Sequence, residues 1–162
     1  MTVRAAVVTI STSKSREPGG ADESGERLAA FSAAIGAEIA AREIIPDDRA
    51  LITERLLHWA DREGCDLILT TGGTGFAPSD VTPEATRDVI EREAPGVAEA
   101  MRAASREHTR HWMLSRGIAG IRGQTLIVNF PGSPRSIGQA GAAIADALPH
   151  ALELLAGMHG GH

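Results

Sequence analysis

Residues 67–84 of the chain are LILTTGGTGFAPSDVTPE, and the other predicted elements are arranged around them. The apolar run at the start predicts a buried β-strand that begins after Cys65-Asp66. Two threonines and three glycines then predict a polar loop. Thr82-Pro83-Glu84 has the pattern of an N-cap, a first helical residue and an early acid, which predicts a helix start. Asp80 is therefore expected just before a helix N-terminus.

The composition of this loop favours a ligand site over a purely structural turn. Glycines within residues 72–75 lack the Cβ atoms that would keep a ligand away from main-chain N–H groups. Threonines within residues 70–74 add hydroxyl groups, and Asp80 adds a carboxylate. The alternative is a glycine-rich turn built only for strand-to-helix geometry. The loop contains neither the Gly-Lys-Ser/Thr of a Walker A motif nor the Rossmann Gly-x-Gly-x-x-Gly pattern.

The overall composition predicts an α/β protein. Of the 162 residues, 43% are hydrophobic and 3% are aromatic, so aliphatic side chains build the core. Such cores are typical of parallel sheets that are covered by helices. The formal net charge of −5 provides no positive field to attract nucleic acid. An anionic substrate would have to be held by local groups.

Several sequence features indicate a cytoplasmic protein. Cys65 is the single cysteine, and its place before an apolar strand predicts a small buried side chain. We find no signal-peptide pattern, and no apolar run approaches the roughly 18 residues of a membrane span. We expect one domain over residues 1–157 and a flexible, glycine-rich tail over residues 158–162.

The alternation of strands and helices predicts a three-layer α/β/α sandwich with a mostly parallel sheet. Strands are predicted at residues 3–10, 38–45, 67–71, 118–121 and 125–130, and the last two form an antiparallel hairpin. Helices are predicted to begin at Ser24 or Gly25, after Asp47-Asp48, at residue 83, at residue 97 and after Ser133-Pro134. The helix that begins at residue 83 is expected to end at 92, and the last one is expected to be a single long helix through 137–155. The loops that begin at residues 11, 46, 71 and 131 should meet, because parallel strands end at one edge.

Two acids lie near other strand ends. Residues 11–25 form a long connection for a strand followed by a helix, which favours a functional or mobile segment. A charged, solvated surface loop explains the same composition equally well. At the next strand end, Asp47 taken alone is interpreted as an N-cap, worth about 1 kcal/mol to its helix.

Histidine pairs provide weak signals for a metal. His108 and His111 are three residues apart and could share one helical face, but no acid or cysteine completes a known ligand pattern. His159 and His162 lie in the glycine-rich tail. We therefore favour a solvated or packing role for the first pair and a loose terminus for the second.

A series of motifs follows one order along the chain. They are Asp22-x-Ser24-Gly25, Ile45-Pro46-Asp47, TGGTG at residues 71–75 with DVTPEAT at 80–86, LSR at 114–116 with AGI at 119–121, and NFPGSP at 129–134. Together they resemble the Mog and MoaB family of molybdenum-cofactor biosynthesis. The resemblance spans nearly the whole chain, and the combination is far more specific than any single motif.

This resemblance implies a fold, an activity and partners. The family fold is a molybdopterin-binding α/β sheet sandwiched by helices, usually in a homotrimer, and related domains occur in gephyrin and plant Cnx proteins. The family activity is adenylyl transfer, in which the terminal phosphate of molybdopterin attacks the α-phosphorus of MgATP and pyrophosphate is released. The product passes to a molybdate insertase. Mg²⁺ is therefore the expected cofactor, and ATP and molybdopterin are the expected substrates.

The resemblance also implies roles for individual residues. Asp47 and Asp80 would be catalytic and would bind Mg²⁺ directly or through water, since hard carboxylate oxygens suit this ion. The substrate-binding residues would be Thr71, Gly72, Gly73, Thr74, Gly75, Ser115, Arg116, Pro131, Gly132 and Ser133. The nucleotide loop would contain Ser11, Asp22, Ser24 and Gly25. For Arg116, an exposed side chain without a partner is an equal alternative to a bidentate phosphate contact.

Three functions remain open at this point. An MgATP-dependent molybdopterin adenylyltransferase is favoured because both Asp47 and Asp80 are present. A non-catalytic, trimeric molybdopterin carrier or scaffold of the MoaB type is the alternative. A generic phosphate-binding α/β domain is the third, and the joint order of the motifs argues against it.

Overall fold

The structure is a computed structural model that describes residues 1–158. Its strands are β1 (Val3–Ile10), β2 (Ala37–Ile45), β3 (Leu67–Thr71), β4 (Arg92–Glu93), β5 (Ala119–Arg122) and β6 (Thr125–Phe130). They form one sheet with the order β2-β1-β3-β6-β5-β4. The pairs β1–β2, β1–β3 and β3–β6 are parallel, whereas β5 runs antiparallel to β6 and β4. The predicted mostly parallel sheet with an antiparallel hairpin is therefore confirmed.

Helices cover both faces of this sheet. They are α1 (Thr12–Ser15), α2 (Glu23–Ala34), α3 (Arg49–Leu57), α4 (Thr82–Val89), α5 (Pro95–Ser105), α6 (Pro134–Ile144) and α7 (Leu148–Leu155). A π-helical turn, His58–Arg62, extends α3, and a 3₁₀ turn, Trp112–Leu114, precedes β5. Buried side chains of α2, α5, α6 and α7 pack on one face, and those of α3 and α4 pack on the other. This arrangement confirms the α/β/α sandwich.

The central strands are apolar on both sides because each side has its own helical layer. Val7 and Leu69 belong to the core under α2 and α6, whereas Val8 and Ile68 belong to the core under α3 and α4. Strands that are buried on both faces appear in sequence as continuous apolar runs. Phe130 is fully buried at the end of β6, where its ring packs on Phe31 with 5.6 Å between the centroids.

The predicted starts of α2, α4 and α5 are wrong by one or two residues, and α5 begins at Pro95 instead of residue 97. Helix α2 begins at Glu23, because Asp22 is its N-cap and accepts a hydrogen bond from Gly25 N. Helix α3 begins at Arg49, as predicted, but its N-cap is Asp48, whose side chain accepts from Leu51 N, so the interpretation of Asp47 as the N-cap is wrong. Helix α4 includes Thr82, whose hydroxyl donates to the Gly72 carbonyl oxygen in place of capping the helix.

Two predicted helices are also shorter than expected. The one predicted over residues 137–155 is divided into α6 and α7, because Pro149 has no N–H and its ring would clash with the carbonyl of residue 145. The one predicted over residues 83–92 ends at Val89, because Arg92 and Glu93 pair with β5. The loop predicted over residues 11–25 contains α1.

Other predictions concern single residues and the terminus. Cys65 is 1% exposed, as predicted, and its burial raises the pKa of the thiol. His108 and His111 lie beyond the end of α5, so they do not share a helical face. Of the predicted tail at 158–162, only Met158 is among the described residues. Between residues 1 and 158, no helix is both long and apolar enough to cross a membrane.

The packing of Phe130 gives a test of the core. We expect Phe130→Ala to lower the free energy of unfolding by about 3–5 kcal/mol, because the change removes a fully buried ring and leaves a cavity. Equilibrium urea denaturation measures this loss. Phe76→Ala is the matched control: its side chain is 68% exposed, so its effect should stay within about 0.5 kcal/mol. Equal losses in the two variants would contradict the described core.

Candidate active site

The carboxyl ends of the four parallel strands β2, β1, β3 and β6 meet at one edge of the sheet, as predicted. Hydrogen bonds join the segments that leave these strands. Ser11 N donates to the Ile45 carbonyl oxygen at 2.9 Å. Thr71 Oγ1 donates to the Pro131 carbonyl oxygen at 2.7 Å. Residues that are far apart in sequence are therefore brought together at this edge.

The glycine loop, residues 72–75, lies between two neighbouring elements. Gly72 has φ +99°, and a Cβ added there would lie 2.3 Å from the Ile10 carbonyl oxygen. Gly73 has φ +68°, and its Cβ would lie 2.2 Å from Thr82 Oγ1. Only glycine fits both positions, because positive φ disfavours other residues and the space is already filled. The loop backbone therefore packs directly on the end of β1 and the start of α4.

Main-chain groups of this loop differ in what they bind. Gly72 N donates to the Phe130 carbonyl oxygen at 3.3 Å, which continues the pairing of β3 with β6. Thr82 donates through its hydroxyl to the Gly72 carbonyl oxygen and through its N–H to that of Gly73. Within residues 1–158, the N–H groups of Gly73, Thr74 and Gly75 donate no hydrogen bond. These three N–H groups are available to an anion, whereas that of Gly72 is already used.

Asp47 approaches the glycine loop from the end of β2. Its Oδ2 accepts hydrogen bonds from Thr12 N at 3.1 Å and from Thr12 Oγ1 at 2.9 Å. Its Oδ1 lies 3.3 Å from the position of a Cβ on Gly73. The side chain contacts the segment of residues 11–25, which we call the first loop, and faces the glycine loop, whereas Asp48 caps the helix.

Asp80 approaches the same loop from the α4 side. Its Oδ2 accepts from Ala77 N at 3.0 Å and lies 2.9 Å from the position of a Cβ on Gly75. Asp47 therefore lies beside Gly73, and Asp80 lies beside Gly75, two residues further along the loop. Neither carboxylate forms an ion pair with a cationic side chain in the described part of the chain.

Arg116 holds the segment that carries Asp80. Its Nε donates to the Gly75 carbonyl oxygen and its Nη2 to that of Asp80, each at 2.8 Å. The guanidinium also forms a bidentate pair with Glu84, with distances of 2.8 and 3.1 Å. Its main-chain N donates to the Thr74 carbonyl oxygen. The expectation of a side chain without a partner is therefore wrong, and its guanidinium is engaged by protein groups.

The ion pair of Arg116 and Glu84 shifts the titration of both groups. Hydrogen bonds from the guanidinium lower the pKa of Glu84 from the ordinary value of 4.5; burial opposes this shift, and the charge of Arg116 adds a smaller lowering effect. The same hydrogen bonds raise the pKa of Arg116. We call this pair with its two carbonyl contacts the Arg116 clasp.

Asp22 and Gly25 of the first loop serve the start of α2. Asp22 is 7% exposed and accepts from Thr9 Oγ1 at 2.9 Å and from Gly25 N at 3.1 Å. A Cβ on Gly25 would lie 2.1 Å from Asp22 Oδ2, so glycine is required there. Lys14 Nζ and Arg42 Nη2 lie 3.7 and 3.6 Å from the Asp22 carboxylate. Asp22 is thus a buried N-cap that is neutralised by two cations.

The serines of the first loop also contact protein groups. Ser24 is buried, and its hydroxyl donates to the Gly132 carbonyl oxygen at 2.7 Å, which links α2 to the Pro-Gly-Ser segment, residues 131–133. Ser11 is the N-cap of α1 and accepts from Lys14 N at 3.3 Å. These residues lie at the predicted edge, but their side chains are used for structure.

A small cavity lies beside the end of β6. Its volume is about 80 Å³, and both Ser115 and Pro131 line it. The remaining lining residues are Ala98, Met101, Arg102, Ser105, Thr109, Trp112, Gly117, Asn129, Ser136 and Ala140. Ser133 is the N-cap residue of α6, and its side chain forms no capping hydrogen bond. A mixed apolar and hydroxyl-lined cleft therefore adjoins the glycine-loop edge.

Two residues to which the sequence motifs gave no individual role complete the edge. Asn129 is buried and donates to Thr70 Oγ1 and Thr86 Oγ1, while its Oδ1 accepts from Ile118 N. Its sequence signal is a single amide between apolar residues near the end of β6. Thr12 contacts Asp47 from a serine- and threonine-rich segment that offers no comparable signal.

The Arg116 clasp predicts a pH-dependent contribution to stability. Because the pKa of Glu84 is lowered on folding, the pair contributes fully above the ordinary value of 4.5, and this contribution is lost as the pH falls through the lowered pKa. The two side chains are each 34% exposed, so we expect Glu84→Gln to cost up to about 1 kcal/mol at neutral pH.

Urea titrations of Glu84→Gln and wild type at neutral and acidic pH measure this effect. The difference between the two proteins should shrink as the pH falls below 4.5. Glu99→Gln, at an exposed position of α5, is the control and should show no such trend. A difference for Glu84→Gln that does not change with pH would contradict the ionic contribution.

Comparisons with known proteins support a family assignment. The chain is 44% identical over 115 residues to the molybdopterin adenylyltransferase of Helicobacter pylori strain J99, with 71% of this chain and 65% of that protein covered. It is 47% identical over 112 residues to the molybdenum cofactor synthesis protein cinnamon of Drosophila melanogaster, with coverage of 69% and 19%. The chain thus spans less than two thirds of the length of these relatives.

A solved structure and a domain family agree with these sequence matches. The crystal structure of the molybdopterin biosynthesis enzyme MoaB from Thermus thermophilus superposes with a TM-score of 0.88 at 46% identity, covering 96% of this chain and 98% of that one. Residues 6–150 match the family described as "Probable molybdopterin binding domain". The chain therefore belongs to the molybdopterin-binding domain family of molybdenum-cofactor biosynthesis.

Proposed function

We propose that this protein is a Mg²⁺-dependent molybdopterin adenylyltransferase that transfers AMP from ATP to the terminal phosphate of molybdopterin. The observation that carries this proposal is the pair of acids on the glycine loop, with Asp47 beside Gly73 and Asp80 beside Gly75. The relative from H. pylori carries the name of this activity. A nearby cleft and three free N–H groups of the glycine loop offer contacts at two adjacent places on this edge, within residues 1–158.

The reaction needs no nucleophile from the protein. An oxygen of the terminal molybdopterin phosphate forms a bond to the α-phosphorus of ATP. The bond from that phosphorus to the oxygen that bridges to the β-phosphate breaks, and pyrophosphate leaves with the electron pair. The protein must align two anions and stabilise the charge on the leaving group. The chain's own contribution is therefore positioning and electrostatics.

The glycine loop is the proposed nucleotide site. The N–H groups of Gly73, Thr74 and Gly75 are the donors for the triphosphate, because no acceptor within residues 1–158 uses them. The N-terminus of α4 follows this loop and favours a bound anion by about 0.3–1 kcal/mol. Ser11, Asp22, Ser24 and Gly25 hold the neighbouring first loop in place through their contacts with the protein.

Asp47 and Asp80 are the proposed Mg²⁺ ligands. In the described part of the chain, no three His, Cys, Asp or Glu side chains are arranged to hold a metal. Mg²⁺ commonly binds one or two carboxylates together with substrate phosphates and water, so this pair fits that mode. Asp47 Oδ1 faces the loop and accepts no hydrogen bond within residues 1–158. When bound, the ion would neutralise charge on the phosphates.

The cleft beside β6 is the proposed molybdopterin site. Ser115 and Pro131 line it, and Gly132 and Ser133 lead into α6. The Ser133 hydroxyl is not used as a helix cap, so it can bind the phosphate that attacks ATP. Thr71 joins this segment to the glycine loop through the Pro131 carbonyl oxygen. The two substrate sites are therefore held together by adjacent strand ends.

The assembly and the next step of the pathway follow from the family resemblance alone. We place the protein in the cytoplasm, where ATP is available, as one domain over residues 1–157 that forms a homotrimer and passes its product to a molybdate insertase. Analytical ultracentrifugation at micromolar concentration should show a trimer. A monomer as the only species would contradict the proposed assembly.

The central test is product formation under anaerobic conditions from molybdopterin and MgATP. Pyrophosphate release and the mass of adenylyl-molybdopterin report the reaction. We expect Asp47→Asn and Asp80→Asn each to reduce turnover by about 100-fold or more, because metal-held phosphate charge is worth several kcal/mol. Molybdopterin binding should persist, since the cleft is intact.

Asp48→Asn is the matched control for this test. It lies next to Asp47, and asparagine caps α3 about as well as aspartate, so turnover should stay near wild type. Near-wild-type turnover of Asp80→Asn would refute its metal role. Tight molybdopterin binding without product from the wild-type protein would establish the non-catalytic carrier instead.

A further inference from the structure

Three hydrogen bonds join Thr12 to Asp47. The Thr12 hydroxyl accepts from Asp47 N at 3.0 Å and donates to Asp47 Oδ2 at 2.9 Å. Thr12 N donates to the same carboxylate oxygen at 3.1 Å. One side chain therefore contacts both the backbone and the carboxylate of Asp47.

Both donors from Thr12 reach Oδ2, which determines the direction of the other oxygen. Asp47 Oδ1 lies 3.3 Å from the position of a Cβ on Gly73, so it faces the glycine loop. Within residues 1–158 it accepts no hydrogen bond. A carboxylate offers two oxygens with about four acceptor sites, so a committed Oδ2 leaves Oδ1 to a cation. Thr12 thus selects which oxygen is presented.

Thr12 itself is held by its neighbours. Ser15 Oγ donates to the Thr12 carbonyl oxygen at 2.7 Å, and Ser11 Oγ caps the same turn by accepting from Lys14 N. Ser11 N donates to the Ile45 carbonyl oxygen, which extends the pairing of β1 with β2 up to this point. The threonine hydroxyl is therefore placed by the sheet and by α1 before any ligand binds.

We propose that Thr12 is a positioning residue, whose hydroxyl orients Asp47 Oδ1 toward a divalent cation bound with a nucleoside triphosphate. This inference rests on the proposed adenylyltransferase function. Thr12 acts through Asp47, and its hydroxyl is already satisfied by the carboxylate and backbone of that residue. Residues that orient a metal ligand typically contribute about 10- to 100-fold to metal affinity. Without the hydroxyl, only the bond from Thr12 N would restrain the carboxylate.

Binding of Mn²⁺ together with a non-hydrolysable ATP analogue tests this role without turnover. The loss of the free Mn²⁺ signal in electron paramagnetic resonance measures affinity. Thr12→Val keeps the branched shape and the N–H group but removes the hydroxyl, and Thr12→Ala is a second variant without it. We expect each to weaken binding by about 10- to 100-fold, and Thr12→Ser to restore it. In turnover, KM for MgATP should rise while KM for molybdopterin stays unchanged.

Thr53→Val is the matched control, because Thr53 lies on α3, makes no hydrogen bond to Asp47 within residues 1–158, and donates a long hydrogen bond of 3.4 Å to the Ala85 carbonyl oxygen of α4. Thermal unfolding and far-ultraviolet circular dichroism of every variant monitor the fold. If the valine variant does not fold, the comparison of alanine with serine decides.

The outcomes separate this inference from the proposed function. If Thr12→Val or Thr12→Ala binds Mn²⁺ and the nucleotide with wild-type affinity, whether or not its melting temperature falls, the contact of Thr12 with Asp47 is purely structural. This result would overturn the inference but not the proposed function. Absence of Mn²⁺–nucleotide binding by the wild-type protein would overturn the proposed function and this inference with it. Weak binding in both hydroxyl-free variants and recovery in Thr12→Ser support it.

Discussion

The close approach of backbones at Gly72 constrains the whole edge of the sheet. A side chain there would lie 2.3 Å from the Ile10 carbonyl oxygen, and a Cβ on Gly132 would lie 3.3 Å from Gly72 Cα. The glycine loop is therefore packed between the ends of β1 and β6. This packing brings the first loop, the glycine loop and the Pro-Gly-Ser segment into contact. Every other feature of the candidate site depends on that proximity.

Hydroxyl groups and main-chain carbonyls hold these segments together. Thr71 reaches Pro131, Ser24 reaches Gly132 and Thr82 reaches Gly72, each through one hydrogen bond to a carbonyl oxygen. Such contacts are directional and carry no net charge, so they fix geometry without neutralising the site. Among the described residues, bidentate pairs of an arginine with an acid involve neither Asp47 nor Asp80. They join Arg49 to Asp88, Arg116 to Glu84 and Arg122 to Asp61.

This separation supports the proposal that Asp47 and Asp80 bind a cation. In each arginine pair, hydrogen bonds from the guanidinium lower the pKa of the acid, as for Asp61, Glu84 and Asp88. A carboxylate with such a partner has its oxygens occupied and its charge compensated. Asp47 and Asp80 receive hydrogen bonds from N–H or hydroxyl groups, which orient them, and in the described part of the chain no cationic side chain compensates their charge.

Local patterns were enough to predict the central segment of the fold. The apolar run 67–71, the glycines and Thr82-Pro83 predicted a strand, a loop and a helix that the structure contains, because each signal depends on neighbouring residues. The roles of Asp47 and Asp48 could not be separated, since both suit an N-cap and only the distant Thr12 decides between them. The partner of Arg116 lies 32 residues away, which no local pattern reveals. By contrast, the break near Pro149 was readable from the sequence.

The most direct test of the central claim is a crystal structure with Mn²⁺ and a non-hydrolysable ATP analogue, with the metal located by its anomalous scattering. The proposed site predicts an anomalous peak between Asp47 Oδ1 and the Asp80 carboxylate, with the triphosphate along the N–H groups of Gly73, Thr74 and Gly75. A metal–nucleotide bound elsewhere on the protein, with both acids still turned to their present protein partners, would contradict the claim.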